Sequence, residues 1–419
     1  MARFLYSTLY LLLLPVVFAR FWYRAGKVPA YRKRWAERLG RPVCSANPAQ
    51  PLIWIHAVSV GESMVAQLLV TALRDALPNT QFLVTTTTPT GSDLVQKWAV
   101  PVLHQYMPVD LTPMLKPLFD RYQPQQLILL ETEVWPNLIA LAVAQGVPVT
   151  LANARMSARS AKGYQRVAAL SRPAFSALTM VLAQADADAA RFRDLGARQV
   201  VVTGSVKFDM RLDHQTRAVL EDLKPWVARR RTLVAGSTHD GEEALILDAY
   251  LPLRQVHPEL LLVLAPRHPD RFKAVRELLE KRNISYCSRS EQQSPNREHS
   301  VWLLDTLGEL NVFYGLADIA LVGGSWVTRG SHNPLEPLLF GVPVLTGESV
   351  FNFQAISDTL HQAGALRRVG ASALSSSLLA WLSDETARRQ AGEAGVKVLT
   401  ENQGATLRQV EKIVSHNPQ

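Results

Sequence analysis

The stretch "LIWIHAVSVGESMVAQLLVTAL", Leu52 to Leu73, decides how the rest of the chain is read. Leu52 to Val58 is a short, nearly continuous apolar run, as a strand covered on both faces should be. After Glu62, the residues Val65, Leu68, Leu69, Ala72 and Leu73 fall on one helical face, so a helix is expected to begin near Gly61. Strand, small-residue loop and helix together make one βα unit. Ser59 and Glu62 fit the S-x-x-E capping box, in which each side chain satisfies a free backbone donor of the first turn. Glu62 also follows a buried strand at the sheet edge where ligands bind, and the helix dipole is expected to keep its carboxylate ionised. Such a group can finish a helix or take a proton from a substrate.

Outward from this stretch the same grammar repeats. The strand candidates are "QFLVTTTT" from Gln81, "QLILLET" from Gln126, "PVTLANA" from Pro148, "TMVLAQ" from Thr179 and "VVVTGS" from Val200. Residues 208–231 are charged and lack strand character, and are expected to be a linker. A second series then begins: "TLVAGST" from Thr232, "LLLVLAPR" from Leu260, "VWLLD" from Val301, "DIALVGGS" from Asp318 and "PVLTG" from Pro343. Residues 25–207 and 232–419 are therefore expected to be two α/β domains with parallel sheets, with the ligand site in the cleft between the carboxyl ends of their strands. Two domains also suit 419 residues at roughly 100 to 200 per domain. Residues 288–300 are polar and expected to be a loop.

The N-terminal run "FLYSTLYLLLLPVVFA", Phe4 to Ala19, carries no charge and is followed by Arg20, Arg24, Lys27, Arg32, Lys33 and Arg34. A cleaved signal peptide would carry most of its charge before the apolar run, whereas only Arg3 precedes this one. Residues 1–24 are therefore expected to be an uncleaved membrane anchor with the body on the cytoplasmic side. The run falls short of the roughly 20 residues that span comfortably, so a helix lying in the interface is equally compatible with it. Lys and Arg outnumber Asp and Glu by 45 to 36, which favours an anionic partner. The basic residues are scattered rather than clustered with exposed aromatics, which sets a nucleic-acid binder aside. Cys44 and Cys287 form no CxxC unit, so neither a disulfide framework nor a cysteine zinc site is expected.

The loops at strand ends carry the remaining chemistry. "ETEVWPNL" places Glu131 and Glu133 directly after a strand, and "GSVKFD" places Lys207 after another. Their bland readings are a helix-start charge with Pro136 in the first turn, and a linker cation. "AGSTHDGEE" from Ala235 is strand, loop and helix, whose free amides suit a phosphate. "APRHPDRF" presents Arg267 and His268, and an Arg can fork two phosphate oxygens. "GGSWVTRGSHNPLEPLLFG" from Gly323 offers glycines where backbone must approach a ligand, then Asn333, Pro334 and Glu336 opening a helix. His239, His268 and His332 lack a compact ligand spacing, and no metal site is expected. Neither GxxxxGK[ST] nor GxGxxG occurs, which argues against a P-loop NTPase and a dinucleotide oxidoreductase.

Taken together, "WIHAVSVGE", "ETEVWPNL", "NARMS", "GSVKFD", "STHDGEE", "PRHPDRF", "DTLGEL" and "GGSWVTRGSHNPLEP" resemble the bacterial Kdo transferases of lipopolysaccharide synthesis, in family order and over nearly the whole chain. The resemblance implies a GT-B-like fold of two facing Rossmann-like domains. It implies inverting transfer of 3-deoxy-D-manno-octulosonic acid (Kdo) from its cytidine monophosphate ester, CMP-Kdo, to the tetraacyl disaccharide bisphosphate precursor of lipid A. Glu62 then matches the general base, and Glu131, with Glu133 as the other candidate, and Lys207 match groups that support the transition state. Pro266, Arg267 and His268, then Leu307, Gly308 and Glu309, then Asn333, Pro334, Leu335 and Glu336 match the segments holding the nucleotide. No cofactor or metal is implied, and the setting is the cytoplasmic face of the inner membrane. The rival reading is another GT-B enzyme, an epimerase or a transferase with a soluble acceptor.

Overall fold

The computed structural model describes residues 1–26, 29–212 and 214–416; Lys27, counted above among the basic residues, lies outside them. The chain divides into two compact units, one of Met1–Asp209 with Asn402–Gln419 and one of Met210–Glu401.

In the first unit the strands are β1 (Leu52–His56), β2 (Gln81–Thr86), β3 (Leu103–Tyr106), β4 (Gln126–Leu130), β5 (Val149–Ala154), β6 (Met180–Ala183) and β7 (Val200–Val202). They form a parallel sheet in the order β3-β2-β1-β4-β5-β6-β7. Trp54 in β1 is in register with Leu83 on one side and Leu127 on the other. Strand residues alternate between two cores. Trp54, Leu83, Leu127 and Leu151 enter one, and Ile53, Ile55, Val84 and Ile128 enter the other. Both faces are thus covered, which explains why these strands read as continuous apolar runs. The order reverses between β1 and β4, leaving a crevice beyond their carboxyl ends.

The second unit contains β8 (Thr232–Thr238), β9 (Leu261–Pro266), β10 (Tyr286–Ser288), β11 (Val301–Leu303), β12 (Ile319–Val322), β13 (Val344–Thr346) and β14 (Leu366–Arg368). Their order is β10-β11-β9-β8-β12-β13-β14, again parallel, with the switch between β8 and β12. Two cores again flank the sheet.

Two of the expected boundaries are corrected. Residues 208–231 are not a linker: His214–Val227 is a helix whose Leu220, Leu223 and Val227 are buried against Trp302 and Phe313 in the second core. Its charged residues form the solvated face of an amphipathic helix. The chain's end returns to the first unit rather than completing the second. In the helix Ala405–Ser415, Val410 and Ile413 join the core of Ile53 and Ile55, and Asp209 accepts the Gly404 and Thr406 amides at 2.6 and 2.5 Å. Helical periodicity shows which face is buried but not which sheet receives it.

The N-terminal helix, Ala2–Ala25, is long and apolar enough to cross a membrane by length and composition. One face docks on the first unit: Leu14 packs with Val109 and Leu111, and Tyr6 donates to Asp110 at 3.0 Å. Leu5, Leu9, Leu12, Leu13 and Val16 on other faces are exposed.

Candidate active site

Glu62 lies in the first turn of the helix Val60–Ala76, immediately beyond β1, and Glu131 lies immediately beyond β4. The reversal of strand order therefore puts both carboxylates at one crevice. Glu62 Oε2 accepts the Val58 amide at 2.6 Å, and Ser59 Oγ donates to Oε1 at 3.2 Å. The capping box does not form, because Ser59 sits at the N-cap but its side chain accepts no hydrogen bond from the first turn, and Glu62 takes the amide of Val58 rather than that of Ser59. The carboxylate is also not kept ionised by the helix dipole, as the sequence suggested. Burial, followed by repulsion from Glu133 and then Glu131, outweighs the bonds from Val58 and Ser59 and pushes Glu62 up to about 8.

Glu131 is 4% exposed, with a backbone φ of 54° that is unusual for a non-glycine residue. Its Oε1 is 2.7 Å from Lys207 Nζ, and its Oε2 accepts from Arg155 Nε at 2.7 Å. Burial alone would raise its pKa, but Lys207 and Arg155 together hold it below the usual carboxylate range. Lys207 is therefore no linker cation. Its turn, Val206–Asp209, is fixed by Asn153, whose Oδ1 accepts the Val206 amide at 3.1 Å, and Gln409 Oε1 accepts the Asn153 amide at 3.0 Å. Glu133 instead accepts from Trp135 Nε1 at 2.7 Å, and burial raises it. Neither glutamate serves as the helix-start charge. In the helix Pro136–Ala144, the Asn137 and Leu138 amides donate to Asp110 at 3.1 and 2.9 Å. Asp110 does the capping and leaves Glu131 and Glu133 for other work. Arg155 in "NARMS" and Trp135 in "ETEVWPNL" carry no sequence signal of their own, and only their contacts reveal a role.

The second unit gathers a polar cluster at its own switch point. His239 follows β8, His268 follows β9 and His332 lies in the loop beyond β12. His239 and His332 bring their Nε2 atoms to 2.8 Å and stack at 5.1 Å, while His268 meets the His239 ring edge-on at 5.5 Å. Burial, helped by neighbouring cations that include Arg267, lowers all three, His239 to about 4 and His332 to about 3. They are neutral near pH 7. Among the described residues no group of three His, Cys, Asp or Glu could hold a metal. Glu336 accepts from Asn333 Nδ2 at 3.3 Å and is raised by burial to about 7, with Arg267 opposing the rise. Asn333 Oδ1 accepts the Leu335 amide at 3.1 Å, opening a helix of only four residues, Leu335–Leu338, with Pro334 before it.

Two features of this unit have structural reasons. Within "AGSTHDGEE" the His239 amide is not open to a phosphate, because fully buried Glu242 accepts it together with the Gly324, Ser325 and Trp326 N–H of the next loop, at 2.9, 2.7, 3.0 and 2.9 Å. A carboxylate of the protein thus fills the nest that an anion would otherwise use. Gly323 is required by close packing on backbone, since a Cβ there would lie 2.4 Å from the Ser237 carbonyl oxygen. Pro266 ends β9, and Arg267 and His268 follow it. Leu307 is exposed, Gly308 has φ 86°, and Glu309 pairs with Arg289 at 2.7 Å. Beside them a cavity of about 490 Å³ is lined by Trp226, Arg289, Ser290, Gln292, Thr306 and Glu309.

Two parallel-sheet units with a switch-point crevice in each define the GT-B-like class. A UDP-GlcNAc 2-epimerase from Neisseria meningitidis shares this fold, with a TM-score of 0.59 and 15% identity over 87% of this chain and 100% of that one. Residues 33–210 match the family model for 3-deoxy-D-manno-octulosonic-acid transferase (kdotransferase). The 3-deoxy-D-manno-octulosonic acid transferase of Haemophilus influenzae is 38% identical over 97% of each chain, and that of Bordetella pertussis is 34% identical over 99% of each. The chain belongs to the Kdo transferase family and is a glycosyltransferase. The epimerase-like rival shares the fold but not the family.

Proposed function

We propose that the enzyme moves Kdo from CMP-Kdo to the tetraacyl disaccharide bisphosphate precursor of lipid A, with inversion and without a metal, and that Glu62 is the general base. The observation that carries this reading is the position of Glu62 at the β1/β4 switch point, with its pKa pushed up to about 8 beside ionised Glu131. A carboxylate tuned upward is a stronger proton acceptor than an ordinary one. In the reaction Glu62 takes the acceptor hydroxyl proton as that oxygen attacks the anomeric carbon of Kdo. The bond from that carbon to the phosphate oxygen breaks, and CMP leaves with the electron pair. Glu131, held by Lys207 and Arg155, supplies a fixed negative charge toward the cation-like sugar centre, while Lys207 and Arg155 suit the carboxylate of Kdo.

The second unit's Arg267 and His268, the loop of Leu307 to Glu309 and the run Asn333 to Glu336 hold the nucleotide. Arg267 answers the charge growing on the phosphate, and a monophosphate leaving group develops less charge than a diphosphate, so no metal is required. The apolar helix Ala2–Ala25 and the basic residues after it suit an acylated acceptor at the cytoplasmic face of the inner membrane. The test is transfer by the purified full-length enzyme, with CMP-Kdo generated in place. The tetraacyl acceptor is expected to gain Kdo and its fully deacylated counterpart to gain far less. Equal transfer to both would move the acceptor reading to a soluble sugar.

A further inference from the structure

Within the first unit, a cavity of about 60 Å³ lies between the N-terminal helix and the body it docks on, with Tyr10, Val17, Phe18 and Phe21 on the helix side and Arg38 and Trp135 among the residues opposite. Arg38 is 3% exposed. Its Nη1 donates to the Thr87 carbonyl at 2.9 Å, and the guanidinium lies 3.9 Å from the ring centre of Tyr106 and 5.0 Å from that of Phe21. Its Nε and Nη2 have no hydrogen-bond partner among the described residues. Neighbouring Glu37 does not serve them, because its oxygens take Arg34 Nε and Nη2 at 2.6 and 2.7 Å and the Tyr106 amide at 2.8 Å. A guanidinium stays charged, and one buried with two open donors, whose neighbouring carboxylate Glu37 is bonded to other groups, is costly unless an anion completes it.

The other wall states what the anion is attached to. Four apolar or aromatic side chains line the cavity from the helix, Phe21 lying 5.0 Å from the guanidinium, and the same helix exposes Leu5, Leu9, Leu12, Leu13 and Val16 on its outer surface. At about 60 Å³ the cavity has room for several waters or a small polar group. Trp135 connects the cavity to the carboxylate loop through its bond to Glu133.

We infer that Arg38 is the anion seat of a lipid site, in which Nε and Nη2 hold the phosphomonoester headgroup of an acylated lipid while its chain follows Tyr10, Val17, Phe18 and Phe21. The inference rests on the proposed acylated, phosphorylated acceptor for the natural ligand, but its test requires no Kdo transfer. The probe is dioctanoyl phosphatidic acid, titrated into the full chain in neutral detergent, with dioctanoyl phosphatidylcholine and inorganic phosphate in parallel.

Phosphatidic acid is expected to bind saturably, at least about tenfold more tightly than either control. Arg38→Met should lose about tenfold in that affinity, and Arg38→Lys should restore part of it. Val17→Trp, which fills the cavity without touching the charge, should weaken binding similarly and keeps the test decisive if the Arg38 variants fail to fold. Equal binding of the two lipids, equal binding of inorganic phosphate, or full affinity in Val17→Trp would overturn the inference. Lipid binding with no Kdo transfer would sink the proposed function alone.

Discussion

Lys207→Met should destabilise the first unit by about 3 kcal/mol. The pair it breaks is short and dry, with Nζ 2.7 Å from Glu131 Oε1 and side chains 15% and 5% exposed. Removing one partner of a buried pair costs about 3–5 kcal/mol, chiefly because the other charge is left uncompensated. Arg155 remains on the second oxygen at 2.7 Å, but its side chain is 40% exposed and part of its field is screened, which places the loss at the low end. For a unit of this size about 2–4 °C in Tm accompanies each kcal/mol, so the first unit should melt about 6–12 °C lower.

The pH dependence follows from the depressed pKa of Glu131. Its stabilising contribution is present above the unfolded-state value of about 4.5 and is lost as pH falls through the lower folded value. The gap between wild type and variant should therefore be full at pH 7.5 and narrow in acid, where a protonated Glu131 has no charge for Lys207 to neutralise. Calorimetry of both proteins in neutral detergent at pH 7.5 and pH 4 measures it. A drop below about 2 °C at pH 7.5, or a gap that widens in acid, would refute the buried-pair account.

With Glu62 raised to about 8, kcat/KM for transfer should climb through the neutral range and level off above that value, since only the ionised form accepts a proton. A profile already flat from pH 6 to 9 would contradict it. Glu133→Gln removes the larger of the two repulsions and should move the rise to lower pH, which the same profile reads. Glu242→Leu leaves four loop amides without an acceptor and should destabilise the second unit by about 3–5 kcal/mol while weakening CMP binding, as melting and calorimetric titration would show. Transfer should survive exhaustive chelation with undiminished rate; a loss restored by one divalent metal would overturn the metal-free reading.

The central strands of both sheets were legible because burial on two faces leaves an apolar run with few alternatives. Among the edge strands β7 was legible as a run of valines, but the other three were not. β3 reads "LHQY", with His104 and Gln105 taken by hydrogen bonds, and β10 and β14 are three residues each. At the first crevice the residues themselves were legible, because a carboxylate directly after a buried strand stands out. Their charge states were not, because the pKa of Glu62 depends on Glu131 and Glu133, which follow another strand some seventy residues later. Glu242 could not be told from a helix-start carboxylate until its four amide donors, three of them more than eighty residues away, were seen around it. The returning C-terminal helix shows the same limit, since periodicity is local and the choice of sheet is not.

The most direct test of the account is a single-turnover comparison of wild type and Glu62→Gln, both first shown to be folded and to bind CMP alike. Gln can still accept the Val58 amide but cannot take the proton. The account predicts that transfer of Kdo to the tetraacyl acceptor falls by at least about a hundredfold while CMP affinity is unchanged. A variant that keeps most of the wild-type rate would return Glu62 to helix capping and contradict its assignment as the base.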